Sequence, residues 1–282
     1  MVQELKTTDL EINSVIDARS VQNDDVISAS DINQINGKYL VVEKNNDRLI
    51  IYPQSPQSQI ESPTTLTTFG AAGTLQEPLD AKWDYIRQRI WVADTGNHRV
   101  LKISSTEPIK TNNVDIIIEN KLYYPHAISV NINTGDCFVK GYNNLNQSTG
   151  SVIRFSSSGE ELVKFTYDIL SPGDLSSSES EANSSSSSEE MPDMPLPQSI
   201  IYDHVRNRIW WVNQTNIYMA DMRNEQVKVF SISNWYIDTS AISVELSTGN
   251  AFVIVQDVHS ESFVIQVFRD NNEILAESWI EE

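Results

Sequence analysis

The chain has 282 residues, 39% of them hydrophobic, with 39 acidic and 20 basic side chains and a net charge of −19. That length can bury a substantial core, while the charge repels phosphate backbones and anionic headgroups, and no Lys/Arg run offsets it, so nucleic-acid and membrane partners are not expected. Cys137 is the only cysteine, which rules out an intrachain disulfide framework, and no apolar run reaches the roughly 18 residues that would mark a membrane-spanning helix. The first ten residues lack the basic-then-apolar order of a secretory signal, which leads to the expectation of a cytoplasmic protein or a component of a virion or other particle.

In chain order, residues 1–25 come first. Leu10 to Asp17 alternates apolar and polar side chains, the pattern of a strand, and this segment is a candidate ring-closing strand. Residues 26–282 then carry an internal repeat. Residues 41–50 align without a gap with residues 92–101, and residues 83–91 (Trp-Asp-Tyr-Ile-Arg-Gln-Arg-Ile-Trp) recur as residues 202–210 (Tyr-Asp-His-Val-Arg-Asn-Arg-Ile-Trp). Five copies can be laid out, over residues 26–69, 79–118, 125–170, 197–236 and 239–280. In the second copy the strands read 79–84, 89–93, 99–103 and 114–119, separated by Asn, Asp and Gly turn signals. Copies three and five share Ala-Ile-Ser-Val followed by Thr-Gly, at 127–130 and 134–135 and again at 241–244 and 248–249. A repeat of about 45 residues with strands in every copy predicts an all-β propeller of four-stranded antiparallel blades. Five blades are expected, with six as the alternative.

Residues 171–197 interrupt the pattern between copies three and four. This acidic, low-complexity insertion is almost wholly Ser and Glu over residues 176–190. It has too few apolar side chains to order itself, and a flexible inter-blade loop is expected.

Copy two resembles the NHL repeat family. Thr68-Phe-Gly-Ala-Ala-Gly73, Pro78 and Trp91-Val-Ala-Asp-Thr-Gly-Asn-His-Arg-Val100 stand in the family's order. The resemblance is partial in copy one, and in copies three to five only the strand pattern and turn survive. It implies that Asp94, Gly96, Asn97, His98 and Arg99 are structural blade-turn residues rather than a catalytic cluster. Asp94 suits an acceptor for turn amides, Gly96 and Asn97 tolerate positive φ, and Arg99 can reach back to Asp94 or to a neighbouring blade. Ile90, Val92 and Val100 are expected in the core between sheets. Trp83, Trp91, Tyr202, Trp210 and Trp211 are expected as packing between blades.

A propeller binds at the mouth of its central channel, where the inner strands begin. The alignment places Ser28, Asp80, His126, Gln198 and Ser240 there as binding candidates. A catalytic zinc needs three protein ligands and a calcium six to eight oxygens. Of the four histidines (His98, His126, His204 and His259) only His126 falls at the mouth. No catalytic or metal residue is therefore assigned and no cofactor is expected, an oxygen-only calcium site near Asp80 and Gln198 being the one alternative. The expected function is a non-catalytic interaction scaffold that binds a protein partner or itself through the mouth. The alternatives are a structural component of a virion or surface assembly, and a metal-dependent hydrolase or lyase of the gluconolactonase-like or amidating-lyase-like kind.

Overall fold

A computed structural model describes residues 27–53, 64–66, 73–106, 114–145, 149–168, 199–213, 216–231, 235–236, 242–257, 263–268 and 274–279. These residues form five antiparallel sheets, one for each copy of the repeat. Sheet one is β1 (Ile27–Ile32), β2 (Tyr39–Glu43), β3 (Arg48–Tyr52) and β4 (Thr64–Leu66). Sheet two is β5 (Asp80–Asp84), β6 (Arg89–Asp94), β7 (Arg99–Ser104) and β8 (Val114–Glu119). Sheet three is β9 (Tyr123–Asn131), β10 (Asp136–Tyr142), β11 (Thr149–Phe155) and β12 (Glu161–Asp168), and sheet four is β13 (Ile200–Asp203), β14 (Arg208–Val212), β15 (Asn216–Asp221) and β16 (Gln226–Ser231). In sheet five the inner strand is broken into β17 (Trp235–Tyr236) and β18 (Ile242–Val244), which both pair with β19 (Ala251–Asp257), followed by β20 (Phe263–Phe268) and β21 (Ile274–Trp279). The same irregularity is milder in sheet three, where the nine-residue β9 bulges between the Tyr123 and Ala127 pairings with β10. Residues 1–26 and 169–198, which hold the candidate ring-closing strand and the Ser/Glu-rich insertion, lie outside the described residues.

Hydrophobic cores form between sheets. Leu40, Val42 and Leu49 of sheet one meet Trp83, Ile90 and Val92 of sheet two. Trp91, Ala93 and Val100 meet Ile128, Val139 and Phe155 of sheet three. Phe138, Val152 and Phe165 meet Tyr202, Ile209 and Trp211 of sheet four. Trp210, Val212 and Phe230 meet Ile242, Val253 and Phe268 of sheet five. Successive residues of a strand point to opposite faces, so Trp91 and Trp210 serve one neighbour while Val92 and Trp211 serve the other. That is why β6 and β14 read as unbroken apolar runs and not as alternating ones. The inner strands lie side by side in order, β1 by β5, β5 by β9, β9 by β13 and β13 by β18.

Two kinds of first hairpin alternate along the chain. Sheets one, three and five turn through five residues that end on a glycine at positive φ: Gly37 (67°), Gly135 (79°) and Gly249 (79°). In each, the glycine N–H donates back to the carbonyl of Asn33, Asn131 or Glu245, at 2.7 Å. Sheets two and four turn instead through Asp84 to Gln88 and Asp203 to Asn207, with Gln88 and Asn207 left-handed at φ 53° and 56°. The two kinds interlock. Arg87 donates to the carbonyls of Ile132 (2.9 Å) and Asn133 (2.6 Å), and Arg206 to those of Leu246 and Ser247, both at 2.9 Å. Asp84 and Asp203, fully buried, hold the two arginines from behind at 3.2 and 3.3 Å. Each peg lies where a glycine Cβ would stand: one built on Gly135 would meet Arg87 Nε at 2.7 Å, and one on Gly249 would meet Arg206 Nε at 2.4 Å. Arg87→Ala and Gly135→Ala should therefore act on one contact. In a double-mutant cycle read by urea denaturation, the pair should cost clearly less than the sum of the singles, whereas additive costs would mean that the two residues do not act through one contact.

Candidate functional site

The Asp94–Arg99 stretch forms the turn between β6 and β7. Asp94 is fully buried. Its Oδ1 accepts the Gln76 N–H at 2.8 Å, and its Oδ2 accepts from Asn97 Nδ2 at 2.9 Å and Arg99 Nε at 2.6 Å. Burial pushes the Asp94 carboxyl above its usual pKa, against the pull of those three donors. Asn97 and Arg99 also reach the Thr74 carbonyl, at 3.0 and 3.1 Å. The turn thus clamps the segment by which the chain enters sheet two. Gly96 is needed for close approach, because a Cβ there would lie 2.6 Å from Gln76 Cγ and 2.9 Å from its carbonyl oxygen. His98 is the residue at positive φ (52°). Its Nδ1 accepts the Tyr124 N–H at 3.2 Å, and its ring meets the Tyr124 ring edge-on at 4.2 Å. Thr95 Oγ1 donates to the Pro125 carbonyl at 2.6 Å. His98 and Thr95 therefore bind the start of sheet three.

The corresponding turn of sheet one has the same plan, offset by 51 residues. Buried Glu43 receives Arg48 Nε and Asn46 Nδ2, and Asp47 takes the left-handed position at φ 50°. In sheet four Asn213 and Tyr218 replace the ion pair, joined at 3.0 Å.

The channel-mouth candidates fare differently. The backbone of Ser28 lies in β1, while Gln198 and Ser240 are outside the described residues. Asp80 is 6% exposed, and its Oδ2 accepts the Ile128 N–H from the next sheet at 2.7 Å. Its Oδ1 has Lys82 Nζ as an ion-pair partner at 3.1 Å. Burial opposes the Lys82 ammonium, but the carboxylates of Asp80 and Asp31 outweigh it and raise its pKa. The same stitch recurs between other inner strands: Asp31 Oδ2 accepts from Trp83 N at 2.8 Å, and Ser129 Oγ from Tyr202 N at 3.0 Å. His126 is 2% exposed, with Nδ1 at 2.8 Å from the Tyr124 carbonyl oxygen. Burial first, and the charge of Lys140 second, press its pKa down to about 3, so it stays neutral at ordinary pH. Lys140 itself is buried, donates from Nζ to the Val212 carbonyl of sheet four at 2.7 Å, and is lowered by that burial to about 7. Asp80 and His126 are thus engaged within the fold rather than presented to a ligand. Spacing alone could not show this, because an inner-strand side chain can face either the channel or the next sheet.

Of the other histidines, His98 and His204 sit in turns, the latter exposed, and His259 is outside the described residues. Among the described residues no three His, Cys, Asp or Glu side chains gather as metal ligands do. Cys137 is buried, and burial pushes its thiol well above the usual range. The indole N–H groups of Trp83, Trp91, Trp210 and Trp211 are buried without a hydrogen-bond partner, the environment of side chains used for packing.

The surface opposite the Asp94 turn has a feature that the alignment did not single out. Consecutive first hairpins touch: Tyr85 Oη donates to Gln34 Oε1 at 3.2 Å, Arg87 and Arg206 reach the turns beyond them, and Asn131 Nδ2 donates to Tyr202 Oη at 3.2 Å. They form one continuous face. Four of the five hairpins expose an aliphatic side chain there: Ile35 (70%), Ile86 (53%), Val205 (58%) and Leu246 (41%).

No protein-family model matches the sequence, and no curated protein does. Solved structures do. The structure described as a nidogen/laminin complex superposes with a TM-score of 0.56 at 11% identity, over 90% of this chain and 80% of that one. A quinoprotein alcohol dehydrogenase-like protein from Bacteroides thetaiotaomicron superposes with a TM-score of 0.55 at 12% identity, over 91% of this chain and 56% of that one. The chain is a β-propeller. At such identities the likeness concerns the fold alone.

Proposed function

We propose that this propeller is a non-catalytic scaffold that binds a protein partner through the face made by its first hairpins. The observation that carries this is the row of exposed aliphatic tips, Ile35, Ile86, Val205 and Leu246, on one face. Isolated exposed aliphatics are ordinary. Here they occupy the same hairpin in four sheets, beside Tyr85, Arg87 and Arg206, and aromatic and arginine side chains are the types enriched where proteins meet. They bury little within the fold, so removing them should leave it intact. The channel mouth remains the alternative face, with Ser28, Gln198 and Ser240 as its candidates. It is the weaker choice because Asp80 and His126 are already committed inside the protein.

The test compares the wild-type chain as bait with a variant carrying Ile35→Asp, Ile86→Asp, Val205→Asp and Leu246→Asp. A partner captured from an extract of the source should bind the wild type reversibly in calorimetry and bind the variant at least a hundredfold more weakly, at about 1.4 kcal/mol per tenfold. The melting temperature should be unchanged. Equal affinity for both baits would move the site off this face. If the wild type self-associates and the variant is monomeric, the partner is another copy, as in the assembly-component alternative.

A further inference from the structure

The first hairpins and the strands beside them are rich in charge, but that charge is spent inside the fold. Asp84 and Asp203 are fully buried, and each pairs with its own arginine, Arg87 or Arg206, whose guanidinium also holds the turn of the next sheet. Where the hairpins run into the second strands, Arg89 pairs with Asp115, and Arg208 with Asp221 at 3.9 Å. Arg154 Nε donates to Asp136 Oδ2 at 2.9 Å, and Arg223 Nε to Asp221 Oδ1 at 2.8 Å. Glu245, in the turn of sheet five, receives the Thr248 hydroxyl. Each of these arginines thus has a carboxylate of its own chain.

The aliphatic tips stand among these closed pairs. Ile35 and Ile86 follow Gln34 and Tyr85, which are hydrogen-bonded at 3.2 Å, and Val205 precedes Arg206, which holds the Leu246 carbonyl at 2.9 Å. They therefore fall in two pairs, each across one contact between sheets, and the tip of sheet three exposes the uncharged Asn133 and Thr134. An acidic segment would meet guanidiniums that are already neutralised, on a chain of net charge −19 that repels it. A basic segment would be drawn to the chain as a whole, but would find at this face carboxylates that arginines already hold. Exchanging one exposed ion pair for another gains little, whereas the aliphatic tips gain by leaving water. We infer that the partner meets the first-hairpin face with an apolar, uncharged surface and not with an acidic or basic segment. The inference rests on the binding face proposed above and names the chemistry of its occupant.

A random peptide library displayed on phage is the probe. Peptides are selected on the full-length wild-type chain and counter-selected on a variant carrying Ile35→Asn, Ile86→Asn, Val205→Asn and Leu246→Asn, which adds no charge. The peptides that prefer the wild type should be rich in aromatic and aliphatic side chains and close to zero net charge. Their affinity should change less than about twofold over a tenfold rise in salt, which shortens the Debye length about threefold. Arg223→Gln, which removes the charge of an arginine with a side chain 63% exposed, should leave that affinity unchanged. Wild-type-selective peptides that are acidic or basic, and that weaken tenfold or more with salt or with Arg223→Gln, would overturn the inference while the binding face stood. Peptides that bind both baits alike, or none at all, would overturn the binding face and the inference with it.

Discussion

Asp94→Ala is expected to destabilise the protein by roughly 3–5 kcal/mol, the cost of removing one partner of a buried ion pair. That is a large part of the ~5–15 kcal/mol that holds a typical domain folded. Three donors lose their acceptor at once: the Gln76 amide, Asn97 Nδ2 and Arg99 Nε. The guanidinium stays behind with the Thr74 carbonyl, in a side chain only 9% exposed. Asp94→Asn keeps an oxygen of nearly the same shape and should lose distinctly less. The buried tryptophans report unfolding by fluorescence, so a urea titration of both variants measures the difference. A cost below about 1 kcal/mol for the alanine variant would show that this turn does not hold the sheets, and would reopen a chemical role for Asp94, His98 and Arg99.

Lys140 gives the second large effect, one that depends on pH. Its pKa is lowered by burial from the usual 10.5 to about 7. Between those values the folded lysine is neutral while the unfolded one is protonated, so unfolding takes up a proton and stability rises with pH. The contribution is complete above pH 10.5 and is lost as pH falls towards 7. For one proton the slope is at most about 1.4 kcal/mol per pH unit. Lys140→Met removes the titrating group, so the stability of the wild type relative to this variant should climb by a few kcal/mol from about pH 7 to about pH 9.5. Urea midpoints measured across that range supply the comparison, with the pH dependence of the difference as the readout. The Val212 carbonyl loses its donor in the variant at every pH, which shifts the curve without tilting it. A flat difference would mean that the Lys140 amine titrates as it would in water.

Much of this architecture was legible because blade carpentry repeats. The strands of sheet two lie within a residue of where apolar runs and turn residues put them. The 51-residue offset correctly paired Glu43 with Asp94, Arg48 with Arg99 and Asp47 with His98, because backbone hydrogen bonding forces the same turn to be built the same way. The pegs were harder to read. The Arg87 motif recurs at an offset of 119 and the Gly135 motif at 114, so the two looked like separate repeats. They are the two sides of one contact between sheets, which only three dimensions bring together. The split inner strand of sheet five was likewise hidden: residues 235–236 were laid out as the end of copy four, yet β17 pairs with β19 of sheet five. The exposed tips were missed for a different reason. Ile35, Ile86, Val205 and Leu246 are single apolar residues in polar turns, where no periodicity marks them. Their significance lies in sharing a face.

The binding face proposed for this propeller is the first-hairpin face and not the channel mouth. Hydrogen exchange of the full chain with and without its captured partner tests that choice most directly. Slowed exchange is expected in the first hairpins, at residues 33–38, 85–88, 204–207 and 245–250. Slowing confined to the opposite turns, at residues 44–47 and 95–98, with the first hairpins unchanged, would contradict it.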